Sequence, residues 1–281
     1  MTEALVGKDK PPPSVNVSCL AWRGGEMTAS VRAVPEEWAI AFTFNGTTHA
    51  VMMATPADLE DFAVGFALTE GLISAEDEVG DVEIVETDLG IELRCWLRGG
   101  LQDAYAARRR SMAGPTGCGL CGIESLEQAS RPAPVLDNAL HVASQALIEA
   151  MERLPGEQPL FRETRAVHAA AFWNPATGVM LAREDVGRHN ALDKLAGALT
   201  RQKIAASQGV VLMTSRISVE LVQKAARMGA SILVAVSAPP ALAVRTAQHC
   251  GMTLVAVMRG RDYEVFTHPG RILEQVSAHV A

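Results

Sequence analysis

The amino-acid sequence predicts an α/β protein whose C-terminal part is a parallel β-sheet covered by helices on both faces. From Gly209 onward, short apolar strands alternate with helical segments, which is the pattern of βαβ units. The predicted strands are residues 210–214, 232–236 and 254–258, and the predicted helices are 219–228 and 241–250. Gly229 and Gly251 follow the two helices, in keeping with the preference for glycine just past a helix C-terminus.

An additional antiparallel β/α portion is predicted in front of this sheet. Its strands are expected at residues 15–21, 38–44, 47–53, 81–86 and 91–97. Asn45-Gly46 separates the second strand from the third and suits the two-residue type I′ turn of a β-hairpin. A helix is expected to have Thr55 as its N-cap and to end at Gly71, with its phenylalanines in the core.

The chain is expected to divide into a tail and two portions. Residues 1–13 end in three prolines and are predicted to be disordered. Residues 14–156 hold the hairpins, a glycine-rich loop and a long amphipathic helix at 137–154, and residues 157–281 hold the βαβαβ segment. The second portion opens with predicted strands at 167–173 and 179–183 and a helix at 191–199.

Composition indicates a soluble, cytoplasmic protein. No apolar run approaches the ~18 residues that a membrane span needs, and the first residues lack the basic start and apolar core of a signal peptide. The net charge of −7 argues against a general nucleic-acid binder, so an anionic ligand must be held by a local basic patch. Five scattered cysteines form no disulfide framework and suit a reducing compartment.

Two thiols lie in a glycine-rich stretch, residues 114–122. Cys118 and Cys121 are three positions apart among four glycines and a proline, and three arginines at 108–110 precede them. Such a composition favours neither a helix nor a strand, so a mobile loop is predicted. A thiol in a loop of this kind is more often reactive than structural. The arginines either favour the thiolate, steer an anionic partner or form a solvated charge run.

The residues argue against zinc chemistry for these thiols and leave two other roles open. Structural zinc usually needs a second ligand pair, but Cys19, Cys95 and Cys250 are isolated. A zinc deaminase needs His-x-Glu and Pro-Cys-x-x-Cys; no histidine here fits, and Gly117 precedes the first thiol. Dithiol–disulfide exchange stays open, as does sulfur carriage, in which one cysteine holds a persulfide and the second assists its release.

Polar residues follow each of the three predicted parallel strands. Because the carboxyl ends of parallel strands share one edge of a sheet, these residues are expected to converge near helix N-termini. They are Ser215, Arg216 and Ser218 after the first strand, Ser237 after the second, and Arg259, Gly260 and Arg261 after the third. Hydroxyls, glycine backbone and guanidinium groups favour a phosphate or pyrophosphate site. The alternative is that the arginines pair with surface acids.

Residues 184–190 are dense in charged and hydrogen-bonding groups. His189, in front of a predicted helix, is expected to lie near the anion site. A plainer role for Glu184 and Asp185 is to hold Arg188 or to cap that helix. His168 is either a satisfied core histidine or a site residue.

Several motifs resemble the FdhD family of formate dehydrogenase accessory proteins. They are Cys118-Gly119-Leu120-Cys121-Gly122, Glu184-Asp185-Val186-Gly187-Arg188-His189-Asn190-Ala191 and Ser237-Ala238-Pro239. The likeness extends from about residue 30 to residue 272, and the stretch 184–194 is its specific part. Many members carry Gly-Gly where this chain has Arg165-Ala166, and many have a glycine before the arginine of Ser215-Arg216.

The resemblance implies a sulfurtransferase, or sulfur carrier, for molybdenum or tungsten enzymes. Cys118 would accept sulfur as a persulfide from a cysteine desulfurase, with Cys121 as its partner. The sulfur would pass to the bis-molybdopterin guanine dinucleotide molybdenum cofactor that formate dehydrogenase requires. A non-catalytic chaperone for that cofactor is a further alternative.

The resemblance also implies a binding segment and a fold. The implied cofactor-binding residues are Val257, Met258, Arg259, Gly260, Arg261 and Asp262, which join Ser215, Arg216, Ser237 and His189. The implied fold is a cytidine-deaminase-like α/β/α sandwich without the zinc site. Family members are cytoplasmic and usually dimeric, so a homodimer without zinc is expected.

Overall fold

The structure, a computed structural model, describes residues 11–98, 132–137 and 139–274. Its first element is a ribbon in which β1 (Ser14–Arg23) pairs antiparallel with β2 (Glu26–Pro35) over the whole length of both strands. β1 contains the predicted strand at 15–21. β2 has no counterpart in the sequence prediction, although Met27, Ala29 and Val31 alternate with polar residues in the pattern of a strand.

A four-stranded sheet and one helix form the first hydrophobic core. The sheet contains β3 (Trp38–Phe44), β4 (Thr47–Ala54), β5 (Val79–Thr87) and β6 (Gly90–Leu97), in the order β4-β3-β6-β5. Helix α1 (Leu59–Thr69) covers one face, and Phe66 of this helix stacks on Phe42 of the sheet with ring centroids 4.0 Å apart. Both predicted hairpins are confirmed. Asn45 and Gly46 have the positive φ angles, 51° and 76°, of a type I′ turn.

The start of α1 differs from the prediction. The helix begins at Leu59 with Asp58 as its N-cap, so the assignment of Thr55 as N-cap is wrong. The hydroxyl of Thr55 instead accepts a hydrogen bond from the backbone N–H of Val186 (3.2 Å), and this contact holds a distant segment of the chain. The end of the helix agrees with the prediction, because Gly71 follows it with a φ of 68°.

The segment before the second sheet also differs. The sequence predicts one helix over 137–154, whereas a short strand, β7 (Val142–Ala143), precedes helix α2 (Ser144–Arg153). β7 pairs in parallel with Ile272–Leu273, so its backbone forms hydrogen bonds to another strand instead of the hydrogen bonds of a helix. Helix α3 (Pro159–Thr164) follows and is absent from the sequence prediction.

A six-stranded sheet forms the centre of the C-terminal part. Its strands are β8 (His168–Trp173), β9 (Met180–Asp185), β10 (Val210–Met213), β11 (Ile232–Ala235), β12 (Thr253–Arg259) and β13 (Asp262–Thr267). Their order is β13-β12-β11-β10-β8-β9. β10, β11 and β12 are parallel, as predicted, and the other neighbours are antiparallel. Strand β14 (Ile272–Leu273) is the partner of β7.

Helices cover both faces of this sheet. Helices α4 (Arg188–Arg201), α5 (Val219–Arg227) and α6 (Ala241–Cys250) pack on one face. Helix α2 packs on the other face through Leu147 and Ala150. The arrangement is a three-layer, mixed α/β fold. Short 3₁₀ helices occur at Glu76–Glu78, Leu154–Glu157, Ala206–Gln208 and Pro269–Arg271.

Helices α1 and α4 join the two cores. They cross at Gly65 and Gly197, where the backbones are in contact: a Cβ on Gly65 would overlap the carbonyl oxygen of Asp193, and one on Gly197 would overlap that of Asp61. Beside the crossing, the guanidinium group of Arg183 binds the Asp61 carboxylate at 2.7 Å. The four-stranded sheet is therefore held against the second core by a helix pair that admits no side chain at its crossing.

The predicted boundary near residue 156 stays a prediction. Helix α2, on the N-terminal side of that boundary, packs on the C-terminal sheet. Within the described ranges, no helix is both long enough and apolar enough to cross a bilayer.

Candidate functional site

The carboxyl ends of the parallel strands lie at one edge of the six-stranded sheet. Because β8 runs antiparallel to β10, its first residue, His168, lies at this same edge. Asp185, the last residue of β9, is the cross-strand partner of His168. Ser215 and Ser237 come shortly after β10 and β11. This sheet edge therefore brings together residues that are as much as 69 positions apart in the chain, counted from 168 to 237.

The predicted anion-site residues after β10 and β11 differ in how far their side chains are engaged. The hydroxyl of Ser215 is buried and donates to the carbonyl oxygen of Arg216 at 3.1 Å. Ser218 is the N-cap of α5 and accepts a hydrogen bond from the backbone N–H of Leu221. Among the described residues, the side chains of Arg216, which is exposed, and Ser237 have no hydrogen-bond partner. These two side chains are the ones available to a ligand.

His189 links the N-termini of α4 and α5. Its Nε2 atom lies 3.1 Å from the hydroxyl of Ser218 and 3.0 Å from a carboxylate oxygen of Glu220. The hydrogen bond from His189 lowers the pKa of Glu220. Both partners meet the same ring nitrogen, whereas a Ser-His-acid relay needs the acid on the other nitrogen. The cluster therefore orients the imidazole and does not form a catalytic triad.

Two further cationic or potentially cationic groups lie beside this cluster. The Nε atom of Arg188 is buried and lacks a hydrogen-bond partner in the described part of the chain. Burial, together with the positive charge of Arg188, lowers the pKa of the half-buried His168, so its imidazole is neutral near pH 7. An unpaired guanidinium N–H at a sheet edge is a ready donor to an anionic ligand.

A cavity of about 410 Å³ opens beside His168, between α3 and the sheet edge. It is lined by Gln158, Phe161, Arg165, Ala166, Val167, His168 and Thr214. Gln158 is only 3% exposed, although it lines this cavity. The guanidinium carbon of Arg165 lies 5.3 Å from the centroid of the Phe161 ring. An amide that donates and accepts, a neutral imidazole and a cation beside an aromatic ring suit a polar ligand with negative charge.

The sequence analysis does not identify this cavity. Arg165 adopts a left-handed conformation with a φ of 59°, in the region that favours glycine. An arginine gives no sequence signal of such a backbone. Gln158 carries no signal of its own, because its role depends on where α3 docks.

A second depression, of about 510 Å³, is lined by more acidic than basic side chains. Its charged lining residues are Glu60, Glu76, Asp77, Asp81, Arg98 and Arg201. Four carboxylates face two guanidinium groups, so this depression does not suit an anionic ligand.

The segment 257–262 is placed differently from the other predicted ligand contacts. β12 continues past Val255, its last residue paired with β11, and runs to Arg259, so the predicted strand end at 258 is one residue short. Gly260 and Arg261 form the turn to β13. The segment comprises Val257 with a φ of 56°, buried Met258, and exposed Arg259, Gly260, Arg261 and Asp262.

This β12–β13 hairpin makes its polar contact elsewhere. Arg261 donates to the side-chain oxygen of Gln145 in α2 at 2.7 Å. No hydrogen bond or ion pair among the described residues connects the hairpin to Arg216 or Ser237. His189 contacts Ser218 after β10, whereas the group after β12 makes its hydrogen bond to α2, and the convergence of all three groups stays a prediction.

The acids at the end of β9 accept hydrogen bonds from segments next to the sheet edge. Both carboxylate oxygens of Glu184 accept backbone N–H groups at the start of α3, from Leu160 and Phe161, at 2.8 Å each. Burial raises the pKa of Glu184 in spite of these two bonds. In the described structure neither Glu184 nor Asp185 binds the Arg188 side chain, and α4 has Gly187 as its N-cap without a side-chain capping bond, so neither part of that interpretation is confirmed. Glu184 instead fixes the helix that lines the cavity.

Asp185 forms the most deeply buried ion pair at the site. Its carboxylate accepts from the Nζ of Lys194 at 2.6 Å, and both side chains are fully buried. It also accepts the backbone N–H groups of Thr55 (3.0 Å) and Gly187 (2.8 Å) and the amide of Asn190 (2.9 Å). One carboxylate therefore connects the loop before α1 to the loop before α4.

The thiols fall into two groups. Cys118 and Cys121, with the arginines at 108–110, lie outside the described residues. Cys95 and Cys250 are buried, and burial raises the pKa of Cys95 to about 12 and also raises that of Cys250. These two buried thiols are unreactive at neutral pH, and Cys19 is exposed on β1.

Comparison with known proteins identifies the family. The model of the FdhD/NarQ family matches residues 35–273, which is most of the chain and includes every site residue named above. The chain belongs to the FdhD/NarQ family.

Relatives within the FdhD/NarQ family match nearly the full length. The sulfur carrier protein FdhD of Agrobacterium fabrum is 54% identical, over 92% of this chain and 95% of its own length. The protein of the same name from Cupriavidus necator is 46% identical, over 98% and 95%. The crystal structure of a candidate formate dehydrogenase accessory protein from Desulfotalea psychrophila is 26% identical, with a TM-score of 0.71, and covers 93% of this chain and 100% of its own.

A second buried charge cluster lies below the site in this FdhD/NarQ family member. The Nζ of Lys224 on α5 binds both carboxylate oxygens of Asp193, at 2.9 and 3.0 Å, and a carboxylate oxygen of Glu70 at 3.0 Å. Thr69 donates to Asp193 at 2.6 Å. The cluster joins the end of α1 to α4 and α5, behind the face that carries His189.

Replacing Glu70 by glutamine is expected to change how stability depends on pH. Burial alone would raise the pKa of Glu70, but the charge and hydrogen bond of Lys224 lower it from 4.5 to about 2. Because the unfolded chain binds this proton at its ordinary pKa, ionised Glu70 stabilises the folded state above pH 4.5, and this contribution is lost as the pH falls towards 2. The stability difference between wild type and Glu70→Gln should therefore shrink between pH 6 and pH 3 in urea titrations.

The matched control is Glu86→Gln, at an exposed carboxylate on β5. It should leave the pH dependence unchanged. A Glu70→Gln difference that stays constant from pH 6 to pH 3 would show that Lys224 does not hold Glu70 ionised.

Proposed function

We propose that this protein is a cytoplasmic sulfur carrier that supplies sulfur to the molybdenum cofactor of formate dehydrogenase. The observation that carries the proposal is the match of nearly the whole chain to relatives named sulfur carrier protein FdhD, at 54% and 46% identity. The likeness to a candidate formate dehydrogenase accessory protein supports the choice of target enzyme. Cys118 and Cys121, in the Cys-x-x-Cys motif, are the proposed sulfur-handling residues.

In the first step, the Cys118 thiolate attacks the outer sulfur of a persulfide on a cysteine desulfurase. A new S–S bond forms on Cys118, the S–S bond of the donor breaks, and the donor cysteine leaves as a thiolate. The exchange therefore needs no external oxidant or reductant. Glycines on both sides of the motif keep side chains out of the way of a second protein.

In the second step, Cys121 releases the sulfur. Its thiolate attacks the inner sulfur of the Cys118 persulfide, a Cys118–Cys121 disulfide forms, and hydrosulfide leaves. The two thiols supply the two electrons that reduce the transferred sulfur. The hydrosulfide replaces an oxygen ligand on the molybdenum of the substrate, and that oxygen leaves as water with the hydrosulfide proton and one proton from solvent. A cellular dithiol then reduces the disulfide.

We propose the sheet edge as the binding surface for this substrate, whose pyrophosphates are anionic. Arg188 offers a buried N–H without a partner in the described structure, and Arg216 offers an exposed guanidinium group. In a chain with a net charge of −7, such local cations are what an anionic substrate requires. Gln158 and His168 in the neighbouring cavity supply hydrogen-bonding groups for a polar part of the substrate. Residues 257–262, on the β12–β13 hairpin, are proposed as a further contact.

The proposal extends to the fold. The six-stranded sheet with helices on both faces supports a relationship to the cytidine-deaminase sandwich. The chain lacks the His-x-Glu sequence of the zinc deaminases, which favours a member of that fold without zinc chemistry.

Cys118→Ala is expected to abolish maturation of formate dehydrogenase, because the persulfide loses its attachment point. The measurement is formate oxidation in cells that depend on this chain, where a loss of at least ~100-fold is expected for removal of an essential nucleophile. In parallel, mass spectrometry after incubation with a desulfurase and cysteine should show a gain of about 32 Da on Cys118 of the wild type, the mass of one persulfide sulfur. Cys121→Ala should keep that gain but transfer the sulfur slowly.

The controls separate the proposal from its alternatives. Cys19→Ala removes an exposed thiol elsewhere and should leave maturation intact. Arg216→Ala should keep the mass gain but reduce the amount of molybdenum cofactor that copurifies with the protein. If Cys118→Ala still gains sulfur at Cys121 and still activates the enzyme, the carrier assignment is wrong. If both cysteine variants support maturation while Arg259→Ala does not, the protein is a cofactor chaperone. Insulin-reductase activity that needs both cysteines would indicate an oxidoreductase.

A further inference from the structure

The imidazole of His189 is held by one of its two ring nitrogens. Its Nε2 atom lies 3.1 Å from the hydroxyl of Ser218 and 3.0 Å from a carboxylate oxygen of Glu220. Because the hydrogen bond from His189 lowers the pKa of Glu220, this carboxylate is ionised at neutral pH and can only accept a hydrogen bond. Nε2 must therefore carry a hydrogen, and a second proton on the ring can enter and leave only at Nδ1.

The Nδ1 atom of His189 is open to solvent. It has no hydrogen-bond partner among the described residues, and it is not one of the buried polar atoms that lack a partner there. The side chain as a whole is 25% exposed. Arg188 precedes His189 in the chain, and Arg216 lies two residues before Ser218. A titratable nitrogen on a ring of fixed orientation is therefore accessible beside the surface proposed for the substrate.

Of the described side chains that are accessible at this edge, His189 alone is suited to release a proton near neutral pH. The charged or titratable groups around it are Glu220 on α5, Arg188 on α4 and His168 on β8. His168 is already neutral, because burial and the charge of Arg188 lower its pKa. The guanidinium groups of Arg188 and Arg216 do not lose their protons in proteins. The Glu220 carboxylate has no proton to give, but its negative charge stabilises a protonated imidazole beside it.

We propose that His189 is the acid that protonates the oxygen ligand displaced from molybdenum during sulfur insertion, an inference that rests on the proposed function. The molybdenum–oxygen bond breaks as a molybdenum–sulfur bond forms. The leaving oxygen takes one proton from Nδ1 of His189 and one from the hydrosulfide, and it departs as water. No electron is exchanged in this step, and the neutral imidazole then regains its proton from solvent at the accessible Nδ1. A positioned general acid usually contributes roughly 100- to 10,000-fold to a rate.

The test measures sulfur transfer by a His189→Gln variant. Glutamine can place an N–H donor near the position of Nε2 and so keep the contacts with Ser218 and Glu220, but it has no group that titrates. Each protein is purified with its cofactor, incubated with a desulfurase and cysteine, and mixed with inactive formate dehydrogenase at a series of pH values. Formate oxidation is then assayed at a single pH. The variant should keep the bound cofactor and the gain of about 32 Da on Cys118, but it should activate the enzyme at least ~100-fold more slowly.

The pH profile of activation separates proton donation from a purely structural link between α4 and α5. The wild-type rate should fall as the pH rises from about 6 to 8, the range in which an imidazolium ordinarily loses its proton, and this fall should be absent from His189→Gln. Glu220→Gln removes the stabilising charge and should move the fall to lower pH, which the loss of a structural link would not do. His249→Gln, at an exposed histidine on α6, is the matched control and should change neither the rate nor the profile.

The outcomes show which of the two proposals fails. If the wild type gains no sulfur or holds no cofactor, the proposed function fails, and the role of His189 fails with it. If the wild type has both, and His189→Gln activates the enzyme at the wild-type rate or with the wild-type pH profile, the proton comes from solvent and only the assignment of His189 is wrong. A Glu220→Gln profile identical to that of the wild type would overturn the assignment equally.

Discussion

Replacing Lys194 by methionine is expected to lower the free energy of unfolding by about 3–5 kcal/mol, the usual cost of removing one partner from a buried ion pair. The Lys194 ammonium is fully buried and lies 2.6 Å from Asp185. It also donates to the carbonyl oxygen of Thr55 at 2.8 Å and lies 5.3 Å from the centre of the Phe62 ring. Methionine keeps the length and apolar packing of the side chain, so the change isolates the charge. Urea unfolding at neutral pH measures the loss.

The cost comes from what remains after the substitution. Asp185 would keep its three N–H donors, from Thr55, Gly187 and Asn190, but would hold a buried negative charge without a counter-ion. The Thr55 carbonyl oxygen would lose its partner as well. An uncompensated charge and an unpaired acceptor are each expensive in a buried site.

Two controls define the origin of the effect. Lys203→Met makes the same substitution at an exposed position and should change stability by less than about 0.5 kcal/mol. Lys194→Met combined with Asp185→Asn removes both charges and should cost less than the sum of the two single changes. If the double variant is as unstable as the sum, the pair is not coupled and the ionic explanation fails.

The parts of the fold that the sequence predicts well are those whose signal is local. Strands β10 to β12 are short apolar runs between helices, and Asn45-Gly46 is a sequence that favours one turn type. Both features can therefore be predicted from the local residues. The errors share one cause. The local sequence predicts Thr55 as an N-cap, but its hydroxyl accepts a hydrogen bond from Val186. It also predicts a helix at Val142, but the backbone there pairs with Ile272. In each case a partner more than a hundred positions away decides the local structure, and no window of sequence contains it.

The candidate site divides in the same way. Chain topology alone places Ser215 and Ser237 at one edge of the sheet, because parallel strands share a direction. Chain topology does not predict the cavity at Gln158. The position of α3 forms one wall of the cavity, and Glu184 on a neighbouring strand binds the start of that helix. The density of polar residues from 184 to 190 marks the region of the buried ion pair, but the sequence analysis assigns no role to Lys194. The role of Cys118 rests on sequence and family alone, because the residue lies outside the described ranges.

Gly197→Ala is expected to cost at least about 3 kcal/mol, at the upper end of overpacking penalties. At an ordinary position within a helix, the same change would stabilise the helix by about 1 kcal/mol. Here a Cβ would overlap the carbonyl oxygen of Asp61 and lie 2.8 Å from the backbone nitrogen of Gly65. Backbone atoms of a facing helix cannot rotate away as a side chain can, so α1 and α4 must separate. Thermal and urea unfolding both measure the loss.

The separation should also reach the site, because α4 begins with Arg188 and His189. Gly197→Ala should therefore weaken substrate retention at temperatures where the variant is still folded. Gly156→Ala is the matched control: a Cβ there meets nothing within 4 Å, and the change should be neutral or slightly stabilising. If the Gly197→Ala variant had the same free energy of unfolding as the Gly156→Ala variant, α1 and α4 would have to be farther apart at their crossing than in the structure. The glycine crossing would then not be what positions the N-terminus of α4 at the sheet edge.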